Sequence, residues 1–163
     1  MNTMKNEPLS GRSMTENNKT EYKAHYHLPG LFEFYELYKA FLPLYCEHRE
    51  YFYDWCDIGS VYGAPGDCLW GGGRVGYGDS GARDVLELMR EYGISARLTF
   101  SNSLLGPEHL ADKRCNDLCR AFDNGDIQNG VIVHSELLLD YLQENYPGLY
   151  ICLLYTSDAA DDM

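Results

Sequence analysis

Four short strand-like segments, at residues 57–62, 95–100, 130–134 and 149–153, alternate with segments whose apolar residues recur at helical spacing, and the connections between them are brief. Antiparallel strands are joined by hairpins; strands joined through helices form right-handed parallel crossovers. The expected fold is therefore α/β, a parallel sheet of about four strands with helices. The pattern fits the N-terminal half of a TIM-like barrel, whose complete form needs about 250 residues. A flavodoxin-like open sheet shares the alternation and is the architectural alternative.

Each element carries its own punctuation. Val131-Ile132-Val133 is apolar throughout, as a strand buried on both faces is. Val85, Leu88, Met89 and Tyr92 share a helix face, Asp79 or Ser80 can cap it, and Gly93 stands where a left-handed residue ends a helix. Pro107 suits the first turn of a helix bearing Ala111, Cys115, Leu118, Cys119 and Phe122, and Ser135 caps one bearing Leu138, Tyr141, Leu142 and Tyr146. Upstream, Leu31, Phe34, Tyr35, Tyr38, Phe41, Leu42 and Tyr45 predict two short helices, or one bent at Pro43, within residues 31–53. Residues 1–20 are polar and aperiodic, a disordered leader by composition, so the α/β domain is expected over residues 21–151.

The stretch from Cys152 to Asp162 matches one reading frame of a transposon-end sequencing adapter, so residues 152–163 are expected to be adapter-derived rather than native, on a barrel domain truncated near Ile151. A fragment of that kind is expected to aggregate or stay partly molten. The formal net charge is −12, three of those charges lying at Asp158, Asp161 and Asp162. With no Lys/Arg cluster to offset it, such a surface repels phosphate backbones, and nucleic acid is not an expected partner. No apolar run reaches the roughly 20 residues that span a membrane. Setting Cys152 aside leaves Cys46, Cys56, Cys68, Cys115 and Cys119, an odd set of free thiols that predicts a reducing, cytoplasmic setting. Cys115 and Cys119 share a helix face, where small buried hydrophobes are the plain reading.

In either architecture ligands bind at the carboxyl ends of the strands. Asn102, His134 and Glu136 follow such ends and are the candidate catalytic group: Asn102 offers donor and acceptor, His134 titrates near neutrality, and Glu136 can accept a proton. Their structural alternatives are a turn residue for Asn102, a partnered strand-end ring for His134 and a first-turn carboxylate for Glu136. Asp67, Trp70 and Arg74 are the candidate substrate-binding residues, with Arg74 in a glycine-rich loop able to hold a phosphate or carboxylate and Trp70 as the apolar lining of a lid. The loop matches neither a phosphate-binding nor a dinucleotide fingerprint. His25-Tyr26-His27 would place two imidazoles on one face if it were a strand, the pattern of metal-dependent hydrolase barrels. Leu28-Pro29-Gly30 and the helical periodicity after it favour a lead-in loop instead.

The segment from Gly93 through Phe100 and Asn102 to Leu105, with Gly130 to Ser135 and Leu138, resembles the second and third strands of the peptidase U32 family. The aromatic segment with Tyr45, Tyr51, Phe52, Tyr53 and Trp55 departs from that family's opening. The resemblance implies a TIM-barrel protein acting on a small-molecule or peptide substrate, by peptide hydrolysis or by modification chemistry with an iron–sulfur cluster held by cysteines elsewhere in the parent. The competing class is a non-catalytic binding protein using aromatic segment 31–55, and a third is a metal-dependent hydrolase using His25 and His27.

Overall fold

The computed structural model describes residues 23–72 and 81–154. Five strands, β1 (Ala24–Pro29), β2 (Cys56–Gly63), β3 (Ser95–Phe100), β4 (Gly130–Val133) and β5 (Tyr150–Leu153), form one sheet in the order β1-β2-β3-β4-β5. Every neighbouring pair is parallel. A flavodoxin-like order would place the first strand inside the sheet, whereas sequential order is that of a barrel arc. Register adds to this. Pro29 near the end of β1 is level with Tyr62, then with Arg97 in mid β3 and with Gly130 and Tyr150 at the starts of β4 and β5. Such a stagger tilts the strands as a barrel wall requires.

Four helices make the crossovers: α1 (Tyr35–Glu47), α2 (Ala82–Glu91), α3 (Lys113–Asp123) and α4 (Glu136–Asn145). Right-handed crossovers that always step the same way leave all their helices on one side of the sheet. Alternation along β3 shows the result, with Ala96, Leu98 and Phe100 fully buried and Ser95, Arg97 and Thr99 only partly so. Val61, Val131 and Val133 join the first set and pack with Leu42, Val85, Met89, Cys119, Phe122, Leu138 and Leu142 in a single core.

The helix ends follow the expected chemistry in part. Gly93 has φ +67°, its N–H donates to Arg90 O and that of Ile94 to Met89 O, a left-handed stop that satisfies two terminal carbonyls. At the other end of α2 the cap is Gly81, whose N–H donates to Asp84 Oδ2 at 3.0 Å; Asp79 and Ser80 lie outside the described residues. The helix expected from Pro107 divides: a 3-10 turn at Pro107–Ala111 ends at Asp112, whose carboxylate accepts the Cys115 N–H at 2.8 Å and opens α3. Helix α1 runs through Pro43 to Glu47 and is followed by a 3-10 turn at Arg49–Tyr51.

One boundary differs from the sequence reading. Residues 24–29 are a fifth strand rather than a lead-in loop, because pairing with β2 supplies the hydrogen bonds that their weak apolar pattern does not announce. At the other edge, β5 matches the strand expected at 149–153, with Cys152 and Leu153 paired with Ile132 and Val133. Residues 1–20 and 155–163 lie outside the described residues.

Candidate functional site

The sheet face away from the helices carries a polar row. Because His27 pairs with Ser60, and Tyr62 with Arg97, these residues and Thr99 share that face on β1, β2 and β3. His27 Nδ1 and Ser60 Oγ are 2.7 Å apart. The step from Tyr26 to His27 skips one residue of β2, and the skipped Gly59 lies so close that a Cβ there would stand 3.0 Å from His25 Cβ and from His27 Cε1. Loss of hydration, then the Arg97 charge and His25, holds the His27 imidazole below its ordinary range. The ring is neutral at physiological pH.

Arg97 is the charge at the centre of this row. Its guanidinium carbon lies 4.6 Å from the centroid of the Tyr150 ring, reached across Gly130, which has no side chain to intervene. Arg97 Nε and Thr99 Oγ1 are both out of reach of water and lack a hydrogen-bond partner. An unpaired buried donor costs about 1–3 kcal/mol, more when charged. Two on adjacent alternate positions of one strand mark a place where an acceptor is expected to sit.

Asn102 pins two loops: its N–H donates to Trp70 O, its Nδ2 to Leu69 O at 3.0 Å, and its Oδ1 accepts the Leu104 N–H. His134 donates its N–H to Phe100 O and holds Nδ1 3.0 Å from Leu154 O, tying the ends of β3, β4 and β5 together. Both stand at the carboxyl end of the sheet. Glu136 is exposed in the first turn of α4, behind the Ser135 cap. Trp70 is buried in the core rather than lining an open lid: its indole N–H donates to His109 O at 2.8 Å, and its ring meets Phe100 and Tyr141 edge-on. Asp67 is exposed at φ 52°, a left-handed position that aspartate tolerates. Arg74 lies outside the described residues.

His25 and His27 do lie on a strand, as the metal pattern requires, yet His27 is engaged with Ser60. Among the described residues no group of three or more His, Cys, Asp or Glu side chains could hold a metal ion, and no helix is long and apolar enough to cross a membrane. A separate groove of about 830 Å³ runs between α2 and α3, lined by Arg83, Glu87, Arg90 and Asn124 on the helical side. It does not join the polar row.

The chain matches no model of a known protein family, no curated protein and no solved structure. The site must therefore be read from its own residues. Tyr62 stands at the end of the strand expected at 57–62 and is legible there as a candidate, whereas Arg97, Thr99 and Ser60 lie within strands, where the strict alternation of Ser95-Ala96-Arg97-Leu98-Thr99-Phe100 announces a polar face without marking a site.

Proposed function

We propose that this chain forms the N-terminal half of a TIM-like barrel protein resembling peptidase U32 proteins, in which a small-molecule or peptide substrate is held by its carboxylate at Arg97. The observation that carries the reading is the buried, unpartnered Arg97 Nε beside the unpartnered Thr99 Oγ1 on the face of the sheet opposite the described helices. A planar guanidinium anchored over Tyr150 offers fork geometry to a carboxylate, and Thr99 supplies a neighbouring donor. Neutral His27, with Ser60 behind it, is placed to move a proton on the same face. Peptide hydrolysis, or modification chemistry with a cluster held by other parts of the parent, are the reactions this reading takes from the resemblance.

The test is a side-chain NMR titration of the full chain with N-acetyl-alanyl-alanine and with its C-terminal amide. The Arg97 Nε–H resonance, assigned by its loss in Arg97→Lys, is expected to move with the free carboxylate and to stay still with the amide. Equal response to both, or none at millimolar peptide with the protein folded, would overturn the reading.

A second reading rests on a different surface. Tyr53 and Trp55 are stacked, with ring centroids 5.1 Å apart, and remain 71% and 44% exposed, beside Tyr51 at 80%. Rigid exposed aromatics of this kind are what a binding protein offers a partner. This reading leaves Arg97 indifferent to carboxylate, so the same titration separates the two.

A further inference from the structure

Two sulfurs that lie 47 residues apart in the chain meet in the core. Cys68 Sγ, in the segment after β2, is 3.1 Å from Cys115 Sγ in the first turn of α3, and both side chains are buried. A disulfide needs about 2.05 Å between sulfurs, so closing the gap requires roughly an ångström, within the reach of two χ rotations. The backbone is already held for it. Arg114 Nη2 donates to Gly66 O at 2.8 Å, and Trp70 donates to His109 O, fastening the segment to the same stretch of chain that carries Cys115.

We propose that Cys68 and Cys115 are a redox-active dithiol, closed to a disulfide by peroxide and reopened by thiols. The two sulfurs are not equivalent. Cys68 sits in a loop segment between exposed Asp67 and Leu69, whereas Cys115 lies within α3, its N–H held by the Asp112 carboxylate at 2.8 Å. Their shared contact and the backbone N–H groups of Gly71 and Trp70 lower the Cys68 pKa against the opposing effect of burial, while the same contact and burial push that of Cys115 up. Cys68 is therefore the sulfur that meets the oxidant. Burial raises Cys119 on the next turn, which keeps it a thiol.

The chemistry balances with hydrogen peroxide as the two-electron oxidant. The Cys68 thiolate attacks one peroxide oxygen, breaks the O–O bond and becomes a sulfenic acid, releasing hydroxide. The Cys115 sulfur then attacks Cys68 Sγ and forms the S–S bond; its proton leaves by way of Asp112, and the sulfenic oxygen departs as water. The sum is two thiols and one peroxide giving one disulfide and two waters. Peroxide is little larger than water, and Cys68 is flanked by exposed Asp67 and Leu69, so a local opening of this segment admits it.

Closure would tie the segment bearing Leu69 and Trp70, whose carbonyls hold Asn102, covalently to α3. The native 163-residue chain is treated with hydrogen peroxide, blocked with iodoacetamide and mapped by mass spectrometry, with thermal unfolding followed before and after dithiothreitol. The expected result is a Cys68–Cys115 crosslink and a midpoint raised by roughly 5–10 °C, both reversed by the reductant. Cys119→Ala should leave the crosslink intact, and Cys68→Ala and Cys115→Ala should abolish it; the wild-type map decides the matter even where a variant fails to fold. Alkylated, unlinked Cys68 and Cys115 after exposed Cys46 has been oxidised would overturn the proposal. So would a link to Cys119, or a crosslink that forms only in denaturant.

Discussion

Tyr38 shows how one hydroxyl changes what a core position does. Its place in the helical apolar pattern of residues 31–45 predicts burial, and it is 5% exposed, but a phenylalanine would meet that pattern equally well. The hydroxyl donates to the Pro29 carbonyl at the end of β1, where the edge strand gives way to the turn at Gly30. Burial, then Tyr62 and Glu33, push its pKa up to about 12, and burial with Cys119 and Tyr141 does the same for Tyr146. Unfolded tyrosines ionise near 10. Both phenols are thus neutral in the folded chain at pH values where the unfolded chain has begun to lose protons. Their contribution is complete below about pH 10 and is lost as pH rises toward 12. Urea midpoints measured across that window should fall, and Tyr38→Phe, which costs about 1 kcal/mol at neutral pH through the lost hydrogen bond, should show a shallower alkaline decline. A flat profile from neutrality to pH 12 would refute the assignment.

At the scale of elements, two glycines separate what a local pattern can reveal from what it cannot. Gly93 reads as a helix stop because the apolar face of α2 ends there, and it adopts the left-handed φ with open space, no atom within 4 Å, where a Cβ would stand. Gly93→Ala should therefore cost about 1 kcal/mol, the backbone penalty alone. Gly130 has an ordinary φ and no local signal, yet a Cβ there would collide with the Tyr150 carbonyl and close the gap across which Arg97 reaches the Tyr150 ring. Gly130→Ala should cost more, about 2–3 kcal/mol, with β4–β5 amides losing hydrogen-exchange protection; equal costs would show that β5 gives way easily. The same division runs through the fold. Strands β2 to β5 were legible because their side chains enter one apolar layer, whereas β1, with Ala24, His25, Tyr26 and His27 all exposed, has too little apolar alternation to declare itself. Trp70 among glycines looked like a lid residue, since only Phe100 and Tyr141, distant in the chain, reveal its burial. Cys68 and Cys115, likewise, become a pair only when β2 and α3 pack.

At the scale of the whole molecule, the described helices α1 to α4 lie on one face of the sheet; the other carries Tyr62, Arg97, Thr99 and Ile132, all half-buried, and among the described strands β1 and β5 are the edges. Edge strands invite pairing with further chains, and these are guarded modestly: β5 has only four residues, and Pro29 removes one donor from β1. Charge supplies the remaining protection. At −12 the chain repels its own copies, and that repulsion is screened over about 10 Å at 0.1 M salt and about 3 Å at 1 M. Sedimentation velocity should therefore show the least association at low ionic strength and more as sodium chloride rises, the reverse of an assembly held by surface ion pairs. Ile132→Lys, which adds a cation on that face level with Thr99 and one alternate position from Arg97 on β3, should suppress that growth because desolvating two like charges there outweighs the apolar gain. If association instead does not grow up to 1 M salt, or if Ile132→Lys associates as readily as the parent, that face is not the adhesive surface and the two strand edges carry the association alone.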